Sequence, residues 1–372
     1  MANRVYRCPA CGGELEWAPS IQKMRCPYCG SEFALSAFDQ KEEGIGQELD
    51  ADTYETGQDA AEAGYGSASD ATDDSNVNPQ DLRVYKCQNC GAEIVTDKTT
   101  MATSCAFCNS PVVLTEQLDT EFRPKWILPF RIEKKQVEKI YLDYVKSRPF
   151  TPKEFTARSQ IEKIKGIYIP FWVYHMDLQG SMEAQGETVM TTEDRKYVYT
   201  HHRVYHIRRE GFMSVDKLPV DASSKTPNDA MDSIEPFDYS DLQPFRMSYM
   251  AGFLAERYDE DMNECRKRAM VRAENTLEQM LSATVGGYSS LHVTSRQVSL
   301  QPGHPPIAEY AMLPVYLLFT KYQGQDYLFA VNGQTGKAVG NVPISKARAA
   351  LFCGPLFGIL FVIFMVASTF FL

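Results

Sequence analysis

Signatures of the common enzyme chemistries are missing from this sequence. It contains no G-x-x-x-x-G-K-S/T phosphate loop, no H-E-x-x-H helix, no G-x-S-x-G elbow and no dinucleotide-binding glycine fingerprint. Histidine, the usual general acid or base, occurs six times. The one cluster, His201, His202 and His206, falls in a strand-like stretch, where His202 and His206 point to one face and His201 to the other. They do not converge as a metal triad would. No catalytic residue is therefore assigned, and the chain reads as a non-enzyme. Positive charge is short as well: 38 Lys and Arg stand against 48 Asp and Glu, a formal net charge of -10. That balance excludes the broad basic surface from which most nucleic-acid affinity comes. The N-terminal stretch "MANRVYRCPACGG" has no apolar core, so it is not a secretory signal, and the N-terminus is expected to stay cytoplasmic.

Cysteine, by contrast, is plentiful and ordered. Eight of the ten cysteines form four Cys-x-x-Cys pairs. Cys8, Cys11, Cys26 and Cys29 give C-x2-C-x14-C-x2-C, and Cys87, Cys90, Cys105 and Cys108 repeat that spacing. The repeat extends beyond the ligands: "RVYRCPACGGEL" from Arg4 returns as "RVYKCQNCGAEI" from Arg83. A fourfold thiolate shell suits tetrahedral Zn2+ and leaves no coordination position open, so two structural zinc sites are predicted, neither catalytic. Gly12, Gly30 and Gly91 follow the second cysteine of three pairs, and Asn109 follows that of the fourth. These are residue types that tolerate the positive φ a tight metal knuckle requires. Cys265 and Cys353 are left over. Cys265 falls on the apolar side of a helix pattern and is expected to be buried rather than reactive.

Composition divides the chain into five parts: a first zinc ribbon at 1–36, a linker at 37–80, a second ribbon at 81–118, an α+β body at 119–345, and a terminal span at 349–372. Asp39–Gln80 carries twelve Asp or Glu against one Lys and few large apolar residues, so a disordered acidic tether is expected. In the body, "WILPFRI" reads as a strand and "EKKQVEKIYLDYVKSR" as an amphipathic helix. "GIYIPFWVYHMDLQG" and "KYVYTHHRVYHIRR" read as strands. Thr226 is expected to cap a short helix opened by Pro227. "DEDMNECRKRAMVRAENTLEQMLSAT" from Asp259 places Met262, Cys265, Ala269, Met270, Ala273, Leu277, Met280 and Leu281 at helical spacing. The following apolar runs break at Gly324 and at Asn332-Gly333, which points to tight hairpin turns and antiparallel strands.

Ala349–Leu372 holds no charge, and as a helix it would extend roughly 36 Å. Lys346 and Arg348 flank it on one side only, so the positive-inside rule predicts a tail-anchored, single-pass protein of the cell membrane with its soluble domains in the cytoplasm. Gly354 and Gly358 form a G-x-x-x-G pair, a spacing that lets two helices approach closely and would support a homodimer.

The halves "CPACGG…CPYCGSEF" and "CQNCGAEI…CAFCNSPV" resemble zinc ribbons of the transcription-factor-IIB type. With "FRPKWILPFRI", "VKSRPFTPKEF", "IEKIKGIYIPFWVY", "LPVDASSKTPNDAMDSIEPFDY" and "YLFAVNGQTGKAVG", most of residues 83–345 resembles a bacterial family of zinc-ribbon membrane proteins. Members often carry a primosomal-helicase label, which the missing phosphate loop contradicts. Some are encoded beside phage-shock-protein-A-type and flotillin-like proteins, so the resemblance implies such protein partners and a role in envelope stress or membrane maintenance. The function expected is a membrane-anchored scaffold that recruits cytosolic proteins. The alternatives are a membrane-held nucleic-acid-binding regulator and an enzyme with an unrecognised site in the body.

Overall fold

The computed structural model describes residues 3–38, 82–114 and 123–371. The acidic linker predicted at 37–80 lies, apart from its first two residues, outside the described residues. The chain divides into two compact units, one of Met1–Glu121 with Arg246–Ala255, the other of Phe122–Phe245 with Glu256–Leu372.

The first unit contains both ribbons. In ribbon 1, β1 (Asn3–Arg4) precedes a three-stranded sheet of β2 (Glu16–Ala18), β3 (Lys23–Arg25) and β4 (Glu32–Phe33). Ribbon 2 has the hairpin β5 (Leu82–Lys86) and β6 (Glu93–Asp97), then β7 (Thr100–Ser104) and β8 (Pro111–Leu114). The ribbons are not separate heads. β1 pairs antiparallel with β8, setting Asn3 against Leu114 and Arg4 against Val113. Val5 of ribbon 1 packs on the ribbon 2 core of Tyr85, Ile94, Val112 and Leu114. A stretch from far along the chain completes the unit: β13 (Leu254–Glu256) lies beside β7, Tyr249 packs edge-on to Trp17 at 4.7 Å, and the Trp17 backbone N–H donates to the Ala251 carbonyl at 2.9 Å. The expected 119–345 body thus loses 246–255 to the ribbons, because the apolar face of Trp17 has no cover within its own short module.

The second unit is built on β10 (Lys165–Glu193), which pairs antiparallel along one edge with β11 (Val198–Asp221). Its other edge is shared between β15 (Ile307–Tyr322) near the start and β14 (Ser290–Leu300) further on. β16 (Gln325–Asn332) and β17 (Ala338–Gly340) extend the sheet beyond β15. Short β9 (Trp126–Ile127) runs parallel to β15 and pairs with β12 (Gln243–Pro244). Beyond Glu187, where β14 stops, β10 and β11 continue alone for six residue pairs to a turn at 194–197. The helices are α1 (Lys134–Lys146), α2 (Arg158–Ile161), α3 (Asn228–Ser233), α4 (Met262–Ala283) and α5 (Lys346–Phe371). The α+β class with antiparallel strands agrees with the sequence, and the strand at "WILPFRI" shortens to two residues.

Two local expectations change. Thr226 does not cap α3; Pro227 holds the cap position while the Thr226 hydroxyl donates to the Ser223 carbonyl at 3.3 Å. The tight two-residue turn sits at Gln323-Gly324, both with positive φ, whereas Asn332-Gly333 opens a longer loop. There the Asn332 amide turns inward and donates to the Ile234 carbonyl at 3.0 Å, so its side chain is committed to the core.

α4 buries Cys265, Ala269, Ala273, Leu277 and Leu281, a single i, i+4 stripe, against Tyr174, Leu178 and Met182 of β10. Asp261 caps it through the Asn263 and Glu264 N–H groups, with Glu264 closing the capping box. Met262 and Met280, placed on the apolar face by spacing, are exposed. Gly180 makes the close packing feasible, since a Cβ there would lie 2.9 Å from Leu277 Cδ2. Arg268 and Arg272 tie α4 to the end of β11 and to α3: Arg268 Nη1 donates to buried Asp221 at 2.9 Å, and Arg272 reaches Asp232 at 2.9 Å and Glu235, just past α3, at 2.8 Å.

Burial pushes the Asp221 carboxyl up to about 6 despite the opposing pull of Arg268. The folded state therefore holds this proton more tightly than the unfolded chain, whose carboxyl sits near its ordinary value of ~3.9. The resulting stabilisation is full below that value and is lost as pH rises through about 6. Between pH 5 and 7.5 wild type should lose roughly 1 kcal/mol that Asp221→Asn does not. Thermal midpoints across that range measure this, and parallel pH profiles for the two proteins would refute it.

Candidate metal centres

Each Cys-x-x-Cys pair forms the same knuckle. The N–H of the residue after the second cysteine donates to the carbonyl of the first: Gly12 to Cys8 at 2.8 Å, Gly30 to Cys26 at 2.9 Å, Gly91 to Cys87 at 2.9 Å and Asn109 to Cys105 at 2.8 Å. The N–H of the first cysteine donates back one residue further on, to Gly13, Ser31, Ala92 and Ser110. These bonds require the left-handed backbone read from the sequence, and φ is 74° at Gly12 and Gly30, 78° at Gly91 and 58° at Asn109.

The knuckles bring four sulfurs together twice, Cys8, Cys11, Cys26 and Cys29 in one cage and Cys87, Cys90, Cys105 and Cys108 in the other, all within 4.8 Å of one another in each. Cross-cage Sγ–Sγ distances are 3.6 Å for Cys8–Cys29, 3.5 Å for Cys11–Cys26, 3.8 Å for Cys87–Cys108 and 3.7 Å for Cys90–Cys105. A tetrahedral ion bound at about 2.3 Å to sulfur needs edges of about 3.8 Å, whereas a disulfide needs about 2.0 Å. The donor sets fit one tetrahedral metal ion each. In each pair the first cysteine is buried and the second lies nearer the surface.

Serine sits two residues after the last ligand of each cage. The Ser31 hydroxyl, then its backbone N–H, holds the Cys29 thiol down to about 6. The Ser110 side chain, its oxygen 2.9 Å from the sulfur, and then the Ser110 backbone N–H likewise lower Cys108 to about 6. Asn89 Nδ2 donates to Ser110 Oγ at 2.9 Å, and Ser110 Oγ donates to a carboxylate of ribbon 1, Glu14.

The sequence reading overlooked the surface beside the cages. Tyr28 and Phe107 occupy the same place, the second residue between the cysteines of the later pair, and are 73% and 76% exposed. The signal was present in "CPYC" and "CAFC" as an aromatic repeated in register. Tyr28 lies over Gly13, where a Cβ would be 2.6 Å from its ring.

The other predicted residues are not assembled into a site. Lys346 opens α5, and Arg348 donates to the Thr151 carbonyl. Gly354 and Gly358 lie exposed on α5 with open space where a Cβ would be. Among the described residues α5 is the one helix long and apolar enough to cross a membrane. His202 bonds Glu187 on one face of the hairpin and His201 bonds Thr192 on the other, as the alternation requires. Cys265 is buried, and burial pushes its thiol up to about 12.

No family model matches the chain, and no solved structure matches it. It is similar to "Uncharacterized protein YdjG" of Bacillus subtilis (strain 168), 28% identical over 315 residues that cover 72% of this chain and 92% of that protein.

The knuckle geometry predicts opposite outcomes at two equivalent positions. Gly91→Val forces a β-branched residue into the left-handed region at a cost of about 1–2 kcal/mol and should weaken metal retention in ribbon 2 about tenfold. Asn109→Gly relieves that region and should leave retention within about twofold. Metal release to a chelator separates the two, and equal behaviour would contradict the assignment.

Proposed function

We propose that this protein is a membrane-anchored scaffold whose ribbon pair docks cytosolic protein partners and holds them at the membrane. The observation that carries the reading is the pair of exposed aromatics, Tyr28 and Phe107, presented at equivalent positions by two closed sulfur cages. Large exposed aromatic side chains beside rigid backbone are what protein interfaces use as anchors. The cages supply rigidity and no chemistry, since four thiolates fill a tetrahedral shell. Zn2+ is the ion proposed for both, because an all-sulfur tetrahedral set suits a d10 cation without geometric preference.

Anchoring is assigned to α5, whose charge-free run begins at Ala349 behind Lys346 and Arg348, with the soluble units on the cytoplasmic side. Gly354 and Gly358 are a candidate contact between two such helices. The partners proposed are those the family resemblance implies, of the phage-shock-protein-A or flotillin-like type, in envelope stress or membrane maintenance. Holding two contact points in one unit raises the local concentration for the second contact once the first has formed.

Capture of the full-length protein from detergent-solubilised membranes, with a purified partner of either type supplied in excess, tests the reading. The intact protein should retain the partner. Tyr28→Ala with Phe107→Ala should reduce retention at least tenfold without metal loss, and deletion of 346–372 should release the complex from the membrane fraction. Retention of partner by the double aromatic variant at the intact level would defeat the docking assignment.

A further inference from the structure

Ser110 is fully buried, and its hydroxyl is the meeting point of both ribbons: it lies 2.9 Å from the Cys108 sulfur, accepts from Asn89 at 2.9 Å, and donates to the Glu14 carboxylate. Glu14 in turn is set by the first cage. Its backbone forms an isolated antiparallel β-bridge with that of Arg7, across the hairpin that closes the Cys8–Cys11 knuckle, where the Cys8 N–H donates to the Gly13 carbonyl at 2.6 Å and the Leu15 N–H to the Tyr6 carbonyl at 2.8 Å. Nothing in the repeat demands this link. Glu93, the counterpart of Glu14 in ribbon 2, is exposed, and Ser31, the counterpart of Ser110, is only half-buried.

We propose that the two metal centres bind and release metal as a coupled pair, with Glu14 as the positioning residue through which the first centre supports the second. Three observations support it together: the Glu14–Ser110–Cys108 contacts, the β1–β8 pairing, and Val5 seated on the ribbon 2 core. When the first cage loses its ion, the Arg7–Glu14 hairpin is no longer pinned. Glu14 then no longer holds the buried Ser110 side chain in its present setting, and the Ser110 contact that orients Cys108 relaxes. Partners of this kind around metal ligands govern affinity by about 10- to 100-fold when removed. Coupling of binding free energies is reciprocal, so metal loss from ribbon 2 weakens ribbon 1 by the same factor.

The inference rests on reading both cages as zinc sites. The test uses the full-length protein in detergent, zinc stoichiometry by native mass spectrometry, and zinc release to a chelator. Wild type should carry two zinc ions. Cys8→Ser with Cys11→Ser should keep one that leaves about tenfold faster than the slower wild-type phase. Glu14→Ala, with all eight ligands intact, should still carry two zinc ions and release the ribbon 2 ion about tenfold faster, and Glu14→Gln, which keeps an acceptor for Ser110, should fall between. The Glu14 pair decides the matter if the cysteine variant fails to fold. Two zinc ions in wild type with unchanged release from Glu14→Ala would overturn the coupling alone, whereas wild-type protein without two zinc ions would overturn the zinc reading beneath it.

Discussion

Four sulfur atoms held within 4.8 Å of each other, twice, are the constraint on which the ribbon unit depends. Modules of some thirty residues enclose too little apolar surface to fold alone, and a metal is the usual substitute for the missing core. Here the substitute is incomplete. Each ribbon still leaves an apolar side uncovered, and the remedy is borrowed: Val5 uses the ribbon 2 core, and Trp17 uses Tyr249 from a segment far along the chain. The result is one composite unit in which metal, sheet pairing and borrowed apolar cover act together.

The second unit follows a different logic. Its framework is one strand, β10, long enough to pair with β15 and β14 in turn on one edge and with the full length of β11 on the other. Helix α4 packs across it because Gly180 keeps a gap for Leu277, and the arginines of α4 reach carboxylates at the end of β11 and in α3. Asp221, fully buried, accepts a shifted proton affinity in return for tying strand end to helix.

Much of this was legible in the residues. The four knuckles could be read down to their backbone conformation, because glycine or asparagine after each cysteine pair has few other reasons to recur. The stripe from Cys265 to Leu281 announced α4 by period alone. What escaped had long-range causes. Nothing local in "RMSYMAGFLA" says that its apolar residues serve the ribbons rather than the body. Asn332-Gly333 has the composition of a two-residue turn, but the Asn332 amide is taken by carbonyls about a hundred positions earlier. Ser110 and Glu14 look like ordinary polar ribbon residues until β1 is set against β8.

The borrowed segment also orders events during synthesis. The cysteines of both ribbons leave the ribosome early, yet Tyr249 follows Trp17 by some two hundred residues, roughly ten to fifty seconds at ~5–20 residues per second. Through that interval the ribbons can fill their cages but cannot cover the Trp17 face. Assembly of the N-terminal unit is therefore timed by translation of the unit that follows it, and the finished surface is presented only once most of the chain exists.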